Sequence, residues 1–142
     1  MPIKTIFEPV YQVKIHFIFD TSKDKAYTYI RKQALIPMNF DDHWEKAGVM
    51  FGDDDNGDYF IVLPDRKPTW TITTIIAHEA FHVVARVMRN KGIVLAKESE
   101  EAFNYFHSWI LQELTDLFCQ HQKSKKPLKS KPAKKYSIKK RK

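Results

Sequence analysis

Two histidines and a glutamate with helical spacing are the residues of this chain best suited to chemistry. His78, Glu79 and His82 lie within the segment 73–88, which has no proline or glycine and predicts a helix. Residues four apart share one face of a helix, so the two imidazoles are expected side by side, as two ligands of one tetrahedral zinc ion. Glu79 lies about 100° around the axis from His78, within reach of a water on such an ion. The spacing therefore predicts a zinc site with Glu79 as its general base.

The remaining residues of this helix separate a buried side from the histidine side. An apolar stripe is formed by Ile76, Ala80, Val83, Val84, Val87 and Met88. Because the two histidines point away from this stripe, they are accessible to an ion. The competing interpretation is that the histidines are an ordinary polar outer face with an ordinary helix charge between them. Under that interpretation, nothing would require an acid suited to be a third ligand later in the chain.

A candidate third ligand follows the helix. A zinc ion held by two histidines needs one more protein ligand, and an open position if the site is catalytic. The segment 90–92 predicts the end of the first helix, and a second helix is predicted from Glu98 or the next residue to about Gln120. Glu98, Glu100 and Glu101 all lie at its start, where acids also favour the helix dipole. Periodicity favours Glu100 slightly, since it lies nearer the apolar stripe of that helix.

The pattern HExxH, a spacer and a glutamate on a following helix resembles the gluzincin metallopeptidases. Eighteen residues separate the second histidine from Glu101, a spacer length usual in aminopeptidase N-like enzymes. The segment 101–105 is similar to the Glu-Gly-Phe-Ala segment of those enzymes. The block 78–110 is similar to small HExxH peptidases encoded by tailed bacteriophages. The resemblance extends over roughly residues 45–118.

The resemblance implies both a fold and a ligand set. It implies a small α+β, zincin-like domain, with a short antiparallel or mixed sheet, an HExxH helix and a second ligand helix. It implies that His78, His82 and Glu101 bind Zn2+ as the cofactor, and that Glu79 is the catalytic base. The expected activity is hydrolysis of peptide bonds in a peptide or protein substrate. This choice of Glu101 over Glu100 depends on the motif and the spacer.

The charge of the chain is divided between two regions. Of 24 bases and 17 acids in the whole chain, 13 bases and all 17 acids lie in residues 1–121, a net charge of −4. The segment 122–142 has 11 bases, no acid and two prolines. We therefore expect a metallopeptidase domain over residues 1–121 and a disordered lysine-rich tail over 122–142. Such a tail would bind nucleic acid without sequence specificity, or would serve only to keep the protein in solution.

The expected location follows from the cysteine content and the hydropathy. The single cysteine, Cys119, forms no internal disulfide, so a reducing compartment is expected. No N-terminal signal is present, and no apolar run reaches the ~20 residues of a membrane span. We therefore expect a cytoplasmic protein with no membrane partner. If the protein is encoded by a phage, this is the host cytoplasm, with the virion as the other location.

Before the HExxH segment, the pattern favours a sheet and one helix. The segment 10–20 predicts a strand with His16 on a partly exposed face, and 22–35 predicts a helix. The segments 47–51 and 59–63 predict two strands of a hairpin, with 59–63 as the edge strand that would hold a substrate backbone. The first strand places four apolar residues on its other face, namely Val13, Ile15, Phe17 and Phe19. The core or a cleft wall is expected to include Trp44, Trp70 and Trp109.

Three functions remain open from the sequence. The first is a zinc metallopeptidase, in which Arg86, Tyr105 and His107 are candidates for stabilising the tetrahedral oxyanion. The second is a zinc-binding module that does not cleave, associated with a phage or virion and tethered to nucleic acid by the basic tail. The third is a nucleic-acid-binding protein in which the histidine face is incidental.

Overall fold

The helices and strands form one four-stranded sheet with helices on both of its faces. The computed structural model describes residues 2–34, 48–64 and 71–124. In chain order, the elements are β1 (Ile3–Glu8), β2 (Val13–Thr21), α1 (Lys23–Gln33), β3 (Val49–Asp53), β4 (Asp58–Pro64), α2 (Ile72–Asn90) and α3 (Glu100–Ser124). The α+β class expected from the sequence is confirmed, and the sheet is mixed.

The strand order places β3, not β4, at the edge beside α2. The order is β1-β2-β4-β3, with β2 and β4 parallel and the other two pairs antiparallel. The prediction that 59–63 forms the edge strand is therefore wrong. Both faces of β4 are buried, and a continuous apolar run of this kind suits an internal strand. The predicted hairpin is confirmed, and its other strand, β3, takes the edge position.

Two apolar clusters hold the layers together, one on each face of the sheet. The larger cluster packs β2 and β4 against α2 and α3, and the smaller one packs the opposite face against α1. The predicted face of β2 is confirmed within the larger cluster by Val13, Ile15, Phe17 and Phe19. His16 was predicted to be partly exposed, and this is wrong because the residue is buried, at 5% exposure. The reason is that α1 covers this face of the sheet.

The start and end of α2 follow local sequence signals. Thr71 is the N-cap, and its side-chain oxygen accepts a hydrogen bond of 3.3 Å from the backbone N–H of Thr74. The helix ends at Asn90, and Gly92 follows with φ of +73°, a conformation that glycine adopts without steric cost. The predicted stop at 90–92 is therefore confirmed. These two signals fix the ends of α2, and packing of its apolar stripe in the larger cluster sets the direction of the histidine face.

The ends of the chain differ in part from the expectation. Strand β1 was not predicted, although Ile3–Glu8 is rich in the β-branched and aromatic residues that strands favour. Helix α3 continues to Ser124, so the first three residues of the predicted tail are helical, and 125–142 lie outside the described residues. Trp44 and Trp70 also lie outside the described residues. Trp109 packs against the larger cluster, as expected. Within the described residues, no helix combines the length and apolar character needed to span a bilayer.

Candidate active site

The two histidines of α2 converge as their spacing predicts. His78 and His82 are exposed, and their Nε2 atoms lie 3.0 Å apart. The ring centroids are 4.6 Å apart and the ring planes are at 89°. Zn–N bonds of about 2.0–2.1 Å at tetrahedral angles would separate two ligand nitrogens by about 3.3 Å. The pair therefore fits two positions of a tetrahedral zinc site.

Glu79 lies beside this pair but on the buried side of the helix. Glu79 is 5% exposed, and its carboxylate lies against the start of β3. A Cβ added to Gly48 would lie 2.6 Å from a methyl carbon of Ile75 and 3.2 Å from Oε1 of Glu79. Only glycine allows the strand to approach α2 this closely. Gly48 thus positions β3 against the candidate base.

The third ligand position is not formed by the residues that the structure describes. Within 2–34, 48–64 and 71–124, no group of three or more His, Cys, Asp and Glu side chains is close enough to hold a metal ion. Glu101 and Glu100 are both exposed in the first turn of α3. Neither joins the histidine pair in such a group. Glu100 lines a cavity on the α2 side of α3, and Glu101 does not.

Strand β3 runs alongside the histidine helix in the same direction. The start of β3 meets Ile75 and Glu79, whereas a Cβ added to Gly52, four residues on, would lie 3.1 Å from Nε of Arg86. Strand β3 is a terminal strand of the sheet order and pairs with β4 alone among the described strands. Strand β3 therefore lies along the segment of α2 from Ile75 to Arg86, which includes both histidines.

An ion pair ties this edge to α2 at its far end. Nε of Arg86 donates to Oδ1 and Oδ2 of Asp54 at 2.8 and 3.0 Å, and Nη2 donates to Oδ2 at 2.9 Å. The hydroxyl of Tyr59 donates to Oδ1 of Asp54 at 3.1 Å and accepts from the amide of Asn90 at 3.1 Å. This network fixes the β3–β4 turn against the last two turns of α2.

The network also shifts the pKa values of its members. Burial alone would raise the pKa of Asp54, but hydrogen bonds from Arg86 and Asn90, followed by the Arg86 charge, lower it below 3.8. Hydrogen bonding to Asp54 raises the pKa of Arg86 in spite of burial. Burial raises the pKa of Tyr59 to about 12. At neutral pH the network is therefore a charged pair with a neutral phenol beside it.

The three oxyanion candidates have different surroundings. Arg86 is engaged by Asp54, and Tyr105 is 71% exposed. Nε2 of His107 lies 3.2 Å from the carbonyl oxygen of Ala77, to which it must donate because a carbonyl only accepts. His107 thus holds α3 against the turn of α2 that begins the motif.

The sequence did not indicate that Gly48 and Asp54 contact α2, since both belong to segments distant from it in the chain.

A second group of polar side chains surrounds His16 on the opposite face of the sheet. Nε2 of His16 lies 3.0 Å from Oδ1 of Asp58, and Nδ1 lies 3.1 Å from the hydroxyl of Thr5 and 3.0 Å from that of Tyr29. The imidazole stacks on Phe60 with ring centroids 4.6 Å apart. Protein groups occupy both nitrogens, so this histidine has a structural environment and no position open to a metal ion.

Comparisons with protein-family models, with curated proteins and with solved structures find no match to this chain. The resemblance to gluzincins and to phage peptidases therefore depends on the residues of the sequence itself. Any assignment of function to the histidine face depends on those residues and on their geometry.

Proposed function

We propose that the protein is a zinc-dependent metallopeptidase. The observation that carries this proposal is the convergence of the His78 and His82 Nε2 atoms at 3.0 Å, with the Glu79 carboxylate one residue away on the same helix. Two imidazoles at this separation suit a zinc ion, and a carboxylate beside them suits a base. Glu101, which is exposed at the start of α3, is proposed as the third ligand on the strength of its spacer.

Each residue has a distinct role in the proposed reaction. His78, His82 and Glu101 would hold the ion, which when bound lowers the pKa of a coordinated water and polarises the peptide carbonyl. Glu79 would accept the proton of the attacking water and then deliver it to the leaving amine. The Glu79 side chain lies against Gly48, which directly precedes β3, and this packing restricts its rotamers.

The outer edge of β3 is proposed to bind the substrate backbone. An extended peptide can add to an exposed strand edge through main-chain hydrogen bonds. Strand β3 takes this role in place of β4, which the sequence had suggested. Arg86 and Asp54 support the edge by fixing the turn that follows β3. A substrate held there would lie over the histidine face.

The substitution Glu79→Gln tests the proposal, because it removes the base and leaves both histidines. We expect kcat on a cleaved peptide to fall by about 10²–10⁴-fold, with zinc content unchanged. Glu113→Gln, which removes one acid elsewhere on α3, serves as the control and keeps full activity. Full activity of the Glu79 variant with zinc still bound would contradict the proposed mechanism.

A zinc-binding module that does not cleave is the second candidate function. The observation favouring it is that Glu79, the proposed base, lies on the buried side of α2 with its carboxylate against Gly48, whereas both histidines are exposed. In that case the ion would stabilise the protein or a contact with a partner, and the basic tail would bind nucleic acid. Incubation with a peptide library, with and without a chelator, separates the two functions. Chelator-sensitive cleavage supports the peptidase, and stoichiometric zinc without cleavage supports the module.

A further inference from the structure

A cavity of about 280 Å³ lies between α2 and α3 next to the histidine face. Its walls are mainly apolar and include Phe81, Leu95 and Phe103. Phe81 directly precedes His82 and is 48% exposed, and Leu95 is 56% exposed. The cavity is slightly smaller than the ~300–1,000 Å³ of ordinary ligand sites, so it suits one side chain.

The loop that forms one wall is held by its own hydrogen bonds. The hydroxyl of Ser99 lies 2.6 Å from the carbonyl oxygen of Val94 and accepts from the backbone N–H of Ala96 at 3.0 Å. These bonds fix the backbone on both sides of Leu95. The apolar wall is therefore built into the connection between α2 and α3.

The polar groups of the cavity are mostly hydrogen-bond acceptors. They are Glu100, Asn104 and His107. The Glu100 carboxylate only accepts. His107 uses Nε2–H on the carbonyl of Ala77, so in the neutral imidazole its other nitrogen, Nδ1, is an acceptor. Among the residues that the structure describes, no lysine or arginine lines the cavity.

We infer that this cavity binds the side chain of a lysine or arginine that flanks the scissile bond of the substrate. The methylene stem of such a side chain packs on apolar walls, while its cationic head pairs with acceptors. Glu100 supplies the charge, and the exposed ring of Phe81 supplies an aromatic face for a cation. An acidic side chain is excluded by Glu100. This assignment rests on the proposed peptidase function and specifies its substrate.

The start of α3 does not reverse this charge preference. A helix N-terminus carries a partial positive charge that would favour an anion. Glu100 and Glu101 both lie in the first turn and offset that charge. The net field at this end of the helix is therefore negative.

Kinetics on matched peptides test the inference in the zinc-loaded full chain. The peptides differ only in whether arginine, leucine or glutamate flanks the scissile bond, on either side. For Glu100→Gln we expect kcat/KM on the arginine peptide to fall about tenfold or more, with the leucine peptide unchanged and zinc content unchanged. Asp116→Asn, the same loss of charge far along α3, leaves every rate unchanged.

A binding measurement separates the cavity from the chemistry. N-acetyl-arginine amide and N-acetyl-leucine amide are titrated into the full chain, and shifts of the Phe81 and His107 resonances are followed by NMR. We expect the arginine amide to shift both residues in the wild type and about tenfold more weakly in Glu100→Gln. If the arginine amide binds but no peptide is cleaved, the proposed function fails and the cavity assignment stands.

Three results would overturn the inference. The first is cleavage without any preference among the three peptides. The second is equal binding of both amides in the wild type and in Glu100→Gln, which would make the cavity a purely apolar pocket. The third is loss of zinc in Glu100→Gln, which would make Glu100 a metal ligand.

Discussion

The two histidine sites of this protein lie on opposite faces of one sheet and have opposite surroundings. His16 is 5% exposed, and its two nitrogens contact an aspartate and two hydroxyl groups. His78 and His82 are exposed, and their Nε2 atoms lie 3.0 Å apart, within hydrogen-bond distance of each other. The side-chain chemistry is the same in both places. The difference is burial: the fold encloses the His16 imidazole, whereas the two imidazoles of α2 lie at the surface.

The comparison shows which histidines of a fold are available for chemistry. A buried imidazole must find protein partners, because an unsatisfied polar group costs free energy in the interior. An exposed pair separated by one helical turn has no such requirement, so convergence of its nitrogens reflects the geometry of the pair. We therefore expect substitutions at the two sites to affect different properties, stability at His16 and metal binding at the α2 pair.

The largest expected effect concerns completion of the metal site. Glu101→Gln should lower the zinc affinity of the full chain by more than about 100-fold, since even partners of metal ligands contribute 10–100-fold. Glu100→Gln should leave the affinity unchanged and serves as the control in the same turn of helix. Competition with a fluorescent zinc chelator measures both. If the two variants exchange these results, Glu100 is the ligand.

The next effect concerns the buried histidine. His16→Ala leaves Asp58 buried without its partner, and we expect the free energy of unfolding of the zinc-free chain to fall by about 3 kcal/mol. His78→Ala should change it by less than about 0.5 kcal/mol, because that residue is exposed. Urea denaturation measures both variants. A large loss of stability in His78→Ala would show that the exposed pair is structural and would remove the contrast.

The smallest effect concerns the ion pair between the β3–β4 turn and α2. Asp54→Asn should lower stability by about 1 kcal/mol or less, since both partners are more than a third exposed. The pKa of Asp54 is lowered in the folded state, so its contribution is complete above the unfolded value of 3.8 and is lost as the pH falls through the lower folded value. The difference in the free energy of unfolding between the wild type and Asp54→Asn should therefore shrink below pH 3.8.

Salt distinguishes this exposed pair from the buried histidine group. Raising the salt concentration to about 1 M shortens the screening length to about 3 Å and should reduce the effect of Asp54→Asn. The effect of His16→Ala should persist, because buried groups are screened less. A salt-independent effect at Asp54 would mean that its hydrogen bonds, and not its charge, hold the turn.

The sequence predicted the local features of the site and missed the nonlocal ones. The histidine face depends on one helix. Its cap at Thr71 and its stop at Gly92 are local signals, so both ends of the helix were predictable. The strand order is decided by pairing between segments far apart in the chain. For that reason the sequence did not reveal that β3 takes the edge beside α2.

The same distinction applies to individual side chains. Alternation in β2 correctly predicted the face of Ile15, but whether the opposite face is covered depends on where α1 packs. His16 was therefore assigned partial exposure. Asp54 belongs to the turn between the two strands of the predicted hairpin, and only the fold brings it to Arg86. Glu101, the proposed third ligand, lies on α3, which follows α2 after a connection of nine residues, so spacing alone does not fix its position relative to the histidines.

Metal analysis of the full chain tests the zinc site most directly. The wild type and a His78→Ala/His82→Ala double variant are purified without added metal, and zinc is counted by elemental analysis. We expect about one zinc ion per wild-type chain and none in the double variant, with the His16→Ala chain still loaded. A wild-type chain without zinc that also fails to take up added zinc, or a double variant that keeps it, would contradict the assignment of this helix face.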